Sequence, residues 1–336
     1  MAHALRLRSS DTVALIDHVC SNVVDLSNRS NVVRMSLSVL FALISVYYRY
    51  LSMRGSVVEL EETLDVSNDG WCGAHIREIK ESDAVKDAVR SNTIPKVIHF
   101  VYGMRTQDTA FEEYKCRAIV SANRMIAPHK IYFWYHNEPY GPHWDACKAL
   151  VTLVRVRVPT HIFNNKLHHY AHISDAVRMR VLVECGGIYL DIDTITLKSF
   201  DPLLHHDCVL GTQDSQHLPN AIMLCKPNAA FVKRWFQEYK TFRGVGKKKH
   251  WDEHSVKLPM KLYLKDKRLV HALPTAAFYP IHWSNINLLF KKKTSLTERL
   301  VKDTYCVHLF ESKCEDELEA PPPESLIVSL WNQIES

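Results

Sequence analysis

Glycine is scarce, with ten in 336 residues. Neither Gly-x-Gly-x-x-Gly nor a Gly-rich loop ending in Gly-Lys-Ser/Thr occurs. The backbone cradles that those motifs build for a dinucleotide or a nucleoside triphosphate are therefore excluded. Cys-x-x-Cys pairs are missing and so is His-Glu-x-x-His, which removes structural zinc ribbons, thioredoxin-like redox sites and zincin helices. Charge of one sign is not concentrated: 42 Lys and Arg face 37 Asp and Glu for a net +5, and the two signs are mixed along the chain. A nucleic-acid partner would call for a basic face or tail, so none is expected. What is present is a chain with 46% hydrophobic and 24% charged residues, enough for a sizeable core and too apolar for wholesale disorder. The length suits two average domains or one large α/β domain.

All cysteines but Cys20 follow residue 51. An even number there would suit a disulfide-permissive lumen, yet Cys185, Cys208 and Cys225 sit inside apolar runs and read as small buried hydrophobes. His168, His169 and His172 could gather a metal, but neighbouring surface histidines are the simpler reading. From Met35 to Tyr48 no residue is charged. A spanning helix needs about 20 residues, and snorkelling Arg34 and Arg49 would extend the run toward that length. A single-pass membrane anchor over 35–51 is expected, in preference to an interfacial or core helix, with residues 1–34 as an N-terminal tail. Residues 52–93, polar and acidic at Glu59, Glu61, Glu62 and Asp65, read as a stem or linker.

From residue 94 the chain alternates strand-like and helix-like segments. Val97–Tyr102 follows Pro95 as a buried strand. Phe111, Tyr114, Ala118, Ile119, Ala122, Met125 and Ile126 repeat at helical spacing up to Pro128. Ile131–Tyr135 is a strand, and Val154, Val156 and Val158 alternate with Arg155 and Arg157 as a half-exposed one. Ser174–Cys185 reads as a helix stopped by Gly186 and Gly187, Ile188–Leu197 as the next strand, and Asn220–Cys225 as another before an amphipathic helix. This rhythm predicts an α/β domain over 94–316 with a mostly parallel sheet flanked by helices, and a C-terminal tail over 317–336.

The segment Gly186-Gly187-Ile188-Tyr189-Leu190-Asp191-Ile192-Asp193 carries the chemistry. Side chains repeat every two residues along a strand, so Asp191 and Asp193 share a face at its C-terminal end, where open α/β sheets bind ligands. Two adjacent carboxylates repel unless a cation lies between them, and magnesium or manganese is such a cation, held by one or two carboxylates plus substrate phosphates. On the preceding helix Asp175 and Arg178 are three residues apart and share a face. A carboxylate accepts from sugar hydroxyls and a guanidinium neutralises phosphate. Asn220 follows a loop and could reach the same cleft.

Ile94-Pro95-Lys96-Val97-Ile98-His99, then His172, Ser174, Asp175 and Arg178, then the Gly186–Asp193 segment, together resemble glycosyltransferase family 32, the enzymes with an Asp-x-Asp sugar-binding region. The similarity runs over about 94–312. It implies a GT-A type, Rossmann-like nucleotide-sugar-binding domain, a nucleotide-diphosphate sugar as donor, Mn2+ or Mg2+, and a retaining transfer of a hexose to a glycan, glycolipid or glycoprotein acceptor. By that resemblance Asp191 and Asp193 hold the metal on the donor diphosphate. Asp175 and Arg178 meet the donor sugar and phosphate, and Phe100, Val101 and Tyr102 lie beside the nucleotide base. Tyr305-Cys306-Val307-His308-Leu309-Phe310 resembles the family's late His-Leu-Trp stretch, which places His308 near the metal, although Phe310 stands where tryptophan is usual. Asp191, Asp193 and Arg178 are the expected catalytic residues. A type II membrane protein of the Golgi or endoplasmic reticulum is the expected setting, with a cytoplasmic one as the alternative.

Two rival readings use the same residues. Asp191-Ile192-Asp193-Thr194 also fits the first motif of haloacid-dehalogenase-like phosphatases, where the first Asp is a nucleophile, but no Gly-Asp-x-x-x-Asp follows downstream. A non-catalytic carbohydrate-binding scaffold would use the aromatics between Tyr132 and Trp144, with Trp251, to stack on sugar rings.

Overall fold

A computed structural model describes residues 63–68, 70–244 and 250–335. The expected anchor at 35–51 and the tail at 1–34 lie outside the described residues, among which no helix is long and apolar enough to cross a membrane. The strands are β1 (Val97–Tyr102), β2 (Lys130–Tyr135), β3 (Thr152–Arg155), β4 (His161–Ile162), β5 (Asn165–Lys166), β6 (Gly187–Leu190), β7 (Thr194–Thr196), β8 (Cys208–Gly211), β9 (Ile222–Cys225), β10 (His271–Leu273) and β11 (Cys306–His308). Seven of them form one sheet in the order β10-β8-β9-β6-β1-β2-β3, while β7 pairs with β11 and β4 with β5. Only β9 runs against its neighbours in the large sheet. The mostly parallel sheet expected from the alternation is thus present, mixed by one strand.

The central strands are buried on both faces because their sequences are almost wholly apolar, as suits strands covered by helices on both sides. Along β1, Val97 and Val101 join one core and Ile98 and Phe100 the other. Each fully buried side chain of this kind contributes roughly 1.5–3 kcal/mol. The first face is covered by α1 (Gly73–Lys80), α2 (Asp83–Ser91) and, beyond α3 (Glu113–Ile126) and α4 (Pro142–Cys147) on the opposite face, by α5 (Tyr170–Cys185) and α6 (Ala230–Glu238). Helix α3 stops where sequence says it must: Ala127 turns left-handed at φ 48° and Pro128 cannot continue.

One polar residue sits in the middle of β1. His99 is fully buried; the Trp134 indole donates to its Nδ1 at 3.1 Å, which leaves the proton on Nε2 to bond the Gly186 carbonyl at 3.1 Å. Burial lowers its pKa to about 4, so the ring is neutral. This bond ties β1 to the link between α5 and β6. At Gly186 (φ 63°) a β-carbon would come within 2.6 Å of the Pro227 backbone nitrogen. At Gly187 (φ 103°) it would meet Val97 and His99 at 2.9 Å. Only glycine fits this splice.

The folded part extends past both ends of the expected 94–316 unit. Within the span read as a stem, Trp71, Ile76, Ile79 and Val85 join the first core, and Lys80 pairs with Glu184 of α5 at 2.9 Å. The short amphipathic segments α1 and α2 need that tertiary contact to persist. Within the span read as a tail, α11 (Leu326–Glu335), which follows α7 (Leu258–Lys265), α8 (Thr275–Phe278), α9 (Ser295–Val301) and α10 (Glu315–Glu319), buries Leu326, Ile327, Leu330, Trp331 and Ile334. They share a third core with Ile195 of β7 and Val307 of β11. Arg117 lies over the Trp331 ring at 4.7 Å, and Arg124 donates to the Ile334 carbonyl at 2.6 Å. Linker and tail do not describe residues 71–91 and 326–335.

Candidate active site

The strand expected over 188–197 is broken in the structure. β6 ends at Leu190, Asp191–Asp193 form a turn, and β7 leaves the large sheet to pair with β11. The Asp191 N–H bonds the Ala221 carbonyl just before β9 (2.8 Å), and the Thr194 hydroxyl closes the turn on the Asp191 carbonyl (2.8 Å). The two carboxylates converge through this turn rather than through strand alternation. Pairing of His308 with Thr194 then brings the imidazole opposite them. Ligand atoms of Asp191, Asp193 and His308 all lie within 4.8 Å of one another.

One flank of the cleft is built from α5. Arg178 Nη1 lies 2.9 Å from Asp191 Oδ1 and donates to the Asn220 carbonyl at 3.0 Å, and its guanidinium covers the Tyr189 ring at 4.2 Å. The Tyr189 hydroxyl donates to the same Asp191 oxygen at 2.6 Å. Asp175 sits 3.5 Å from Arg178 and accepts from the Asn220 side-chain amide at 2.8 Å. The helix and the Asn220 loop are therefore fastened together, and Asp175, Arg178 and Asn220 meet. Arg178 is only 5% exposed and points at protein acceptors.

The other flank is built from β11 and α3. His308 Nε2 is 3.4 Å from Asp193 Oδ1 and 3.8 Å from Asp191 Oδ2. Asp193 Oδ2 accepts the Glu311 backbone N–H (2.8 Å), and its carbonyl accepts that of Leu309 (2.8 Å). This is possible because Phe310 takes a left-handed conformation at φ 52° and turns the chain back on Asp193. Beneath the turn, Lys115 of α3, 3% exposed, lies between Glu112 (2.7 Å) and Glu311 (3.0 Å) and donates to the Tyr102 hydroxyl at 3.3 Å.

The two carboxylates feel opposite fields. Burial raises the Asp191 carboxyl above its usual range, although Arg178 opposes it. Burial also works against the charge of Asp193, but His308 and the Glu311 N–H win and hold it below the usual range. Burial favours a neutral His308, and Asp193 followed by Asp191 override that and raise it. The result is a compact cluster of two acids and two bases at the C-terminal edge of β6.

Phe100 and Val101 lie in the two cores, whereas Tyr102, at the end of β1, is only part-buried. Because β1 and β6 are parallel, with Ile98 opposite Ile188, Tyr102 stands at the same edge as Asp191. His172 is not a surface residue: it is buried, with Nε2 3.1 Å from the Trp251 carbonyl and its ring 4.8 Å from the Trp251 ring. Tyr132, Phe133, Trp134 and Trp144 are core residues. Sequence reading missed Tyr189, Tyr279, Lys115 and the Glu311 N–H. Tyr189 was findable, since it precedes Asp191 by two on the same strand face. Tyr279, buried with its ring 5.9 Å from His308 and no hydrogen-bond partner for its hydroxyl among the described residues, had no local signal.

Two carboxylates and an imidazole suit a hard divalent cation such as Mn2+ or Mg2+, and the buried proximity of like charges is relieved by one. Paired acids at the C-terminal edge of a strand in a mixed α/β sheet stand where such sheets bind ligands. Comparison with known proteins agrees. Residues 102–210 match the glycosyltransferase sugar-binding region containing the DXD motif, and residues 254–334 the alpha 1,4-glycosyltransferase conserved region. Glucan organizing enzyme 1 of Cryptococcus neoformans var. grubii is 32% identical over 248 residues, 69% of this chain and 67% of that protein. Lactosylceramide 4-alpha-galactosyltransferase of Mus musculus is 31% identical over 157 residues, 43% of this chain and 42% of that protein. The chain thus spans about two thirds of the first relative and under half of the second. Among solved structures, PaToxG glycosyltransferase is 16% identical with a TM-score of 0.39, over 79% of this chain and 97% of that one. The chain belongs to the DXD-region glycosyltransferases, family 32. The phosphatase reading falls with that membership.

Proposed function

We propose that this glycosyltransferase is metal-dependent and moves a hexose from a nucleotide-diphosphate sugar to a hydroxyl of a glycan, glycolipid or glycoprotein, with retention. The carrying observation is the convergence of Asp191, Asp193 and His308 within 4.8 Å, beside the bonded set Asp175, Arg178 and Asn220. Mn2+ or Mg2+ held by Asp191, Asp193 and His308 would neutralise the departing nucleoside diphosphate. Arg178 holds Asp191 in place and balances its charge when the cleft is empty of donor. Asp175 presents a carboxylate oxygen to sugar hydroxyls, its position set by Asn220. Tyr102 offers its ring to the base. Same-face transfer needs no protein general base, and the leaving diphosphate can take the acceptor proton.

The name of the mouse relative puts UDP-galactose and a glycolipid acceptor first among substrates to try, ahead of UDP-glucose, UDP-N-acetylglucosamine and GDP-mannose. The apolar run 35–51 would place the domain at a Golgi or endoplasmic reticulum membrane. The test incubates the purified full chain with Mn2+ or Mg2+ and each donor, with and without acceptor, and measures nucleoside diphosphate. Release from one donor, abolished by EDTA and by Asp191→Asn, is expected. Turnover that survives both treatments overturns the reading.

A further inference from the structure

Cys208 and Cys225 lie directly opposite each other on the antiparallel strands β8 and β9. Their sulfurs are 2.8 Å apart, and both residues are at most 1% exposed. The Lys226 N–H bonds the Asp207 carbonyl at 2.8 Å just outside the pair. Cys208 and Cys225 therefore occupy a non-hydrogen-bonded position of the ladder, where opposed Cα atoms approach to about 4.5 Å. Disulfides span Cα separations of about 4.4–6.8 Å, so a bond can form here without moving either strand. Cys116 and Cys147 also lie within hydrogen-bond reach of each other, with the Cys147 thiol 3.2 Å from the His143 carbonyl of its own helix.

We propose that Cys208 and Cys225 are a disulfide-forming pair, a cross-strand link made as the sheet closes in the presence of a disulfide donor. One thiolate attacks the donor disulfide and expels a donor thiol. The second thiolate then attacks the mixed disulfide, forms the Cys208–Cys225 bond and releases the second donor thiol. Two cysteine thiols lose their protons and two electrons, and the donor disulfide is reduced to two thiols. Burial keeps both sulfurs away from solvent in the finished fold, so exchange belongs to folding rather than to the folded state.

The link closes the loop between β8 and β9. That loop ends at Asn220, whose amide bonds Asp175, and its backbone is fixed by Leu218 N–H to Val256 and Asn220 N–H to Ser255. A covalent staple at the open end of the hairpin, away from the loop, fixes the register of the two strands that carry Asn220. The inference does not rest on the proposed transfer reaction, and its readouts are mass and melting temperature.

The test refolds the full chain in a glutathione/glutathione disulfide buffer, blocks free thiols with iodoacetamide and digests with trypsin. Both cysteines fall on one tryptic peptide, 199–233. The expected product is that peptide, lighter by two hydrogens and unlabelled until reductant is added, with a melting temperature about 5 °C or more above the reduced chain. Labelling of both cysteines after oxidative refolding, or a bond from either one to another cysteine, overturns the proposal. Cys208→Ala with Cys225→Ala should abolish the reductant-dependent melting shift; a shift that persists in that variant also overturns it.

Discussion

Asp191 and Asp193 are two residues apart and live in opposite surroundings. Asp191 is held by Arg178 and Tyr189, residues from within about a dozen positions of it, on elements that adjoin in sequence. Asp193 is held by His308 and the Glu311 N–H, which arrive from β11 and the turn beyond it. The near flank leaves its carboxyl raised by burial; the far flank lowers its own. The difference teaches that the motif is one word in sequence and two sites in physics: one acid poised to give up a weakly favoured charge to a new partner, the other locked as an anion.

The comparison breaks most visibly at Asp193. Asp193→Ala should lower transfer by about a thousandfold or more, in the range seen when a charge-stabilising group is removed from a reacting centre. Circular dichroism should stay native, and retained metal-dependent turnover would end the assignment. Arg178→Lys comes next: a point charge cannot span Asp191 and Asn220 while stacking on Tyr189. Breaking such a buried set costs about 3–5 kcal/mol, measured by urea unfolding; an unchanged midpoint would show that the near flank is not held by Arg178.

The contrast sharpens in the isosteric pair. Neutralising a group whose charge the fold favours destabilises, and neutralising one whose charge it disfavours costs less. Asp193→Asn should therefore lose about 2 kcal/mol, while Asp191→Asn should lose less, because burial already disfavours that charge and only the pairing with Arg178 is given up; both should lose activity. Equal stability changes would erase the distinction between flanks. The last effect is a background one, outside the cleft. His99 has its folded pKa depressed to about 4 against an ordinary value of 6.5. The unfolded chain then binds a proton that the folded chain refuses, so stability falls as pH drops from about 6.5 to 4 and levels below that. The loss is on the order of 3 kcal/mol, and a flat profile over that window would contradict a neutral buried ring.

Much of this was legible from residues alone. The mainly apolar run of β1 and Pro128 after α3 marked two elements, and Asp175 with Arg178 could be placed on one helix face by spacing. The break after Leu190 was not legible, because the Asp191–Thr194 segment keeps a strand-like pattern and only β11, from a hundred residues on, diverts it. Lys115 reads as a solvent-facing lysine until Glu112 and Glu311 close over it. Leu326, Ile327, Leu330, Trp331 and Ile334 lie in a span read as a tail, because nothing local says that β7 and β11 wait beneath them.

The two flanks also have different histories. A ribosome delivers α5, the paired glycines and Asp191 in one continuous stretch, so the Arg178 half of the cleft can close while the rest of the protein is still being made. Asp193 must wait for His308 and Glu311, and its roof, α11, comes later still. A nascent chain stalled between those points would carry an exposed β7 edge and an acid without its partner, which makes that interval the vulnerable moment in the protein's life.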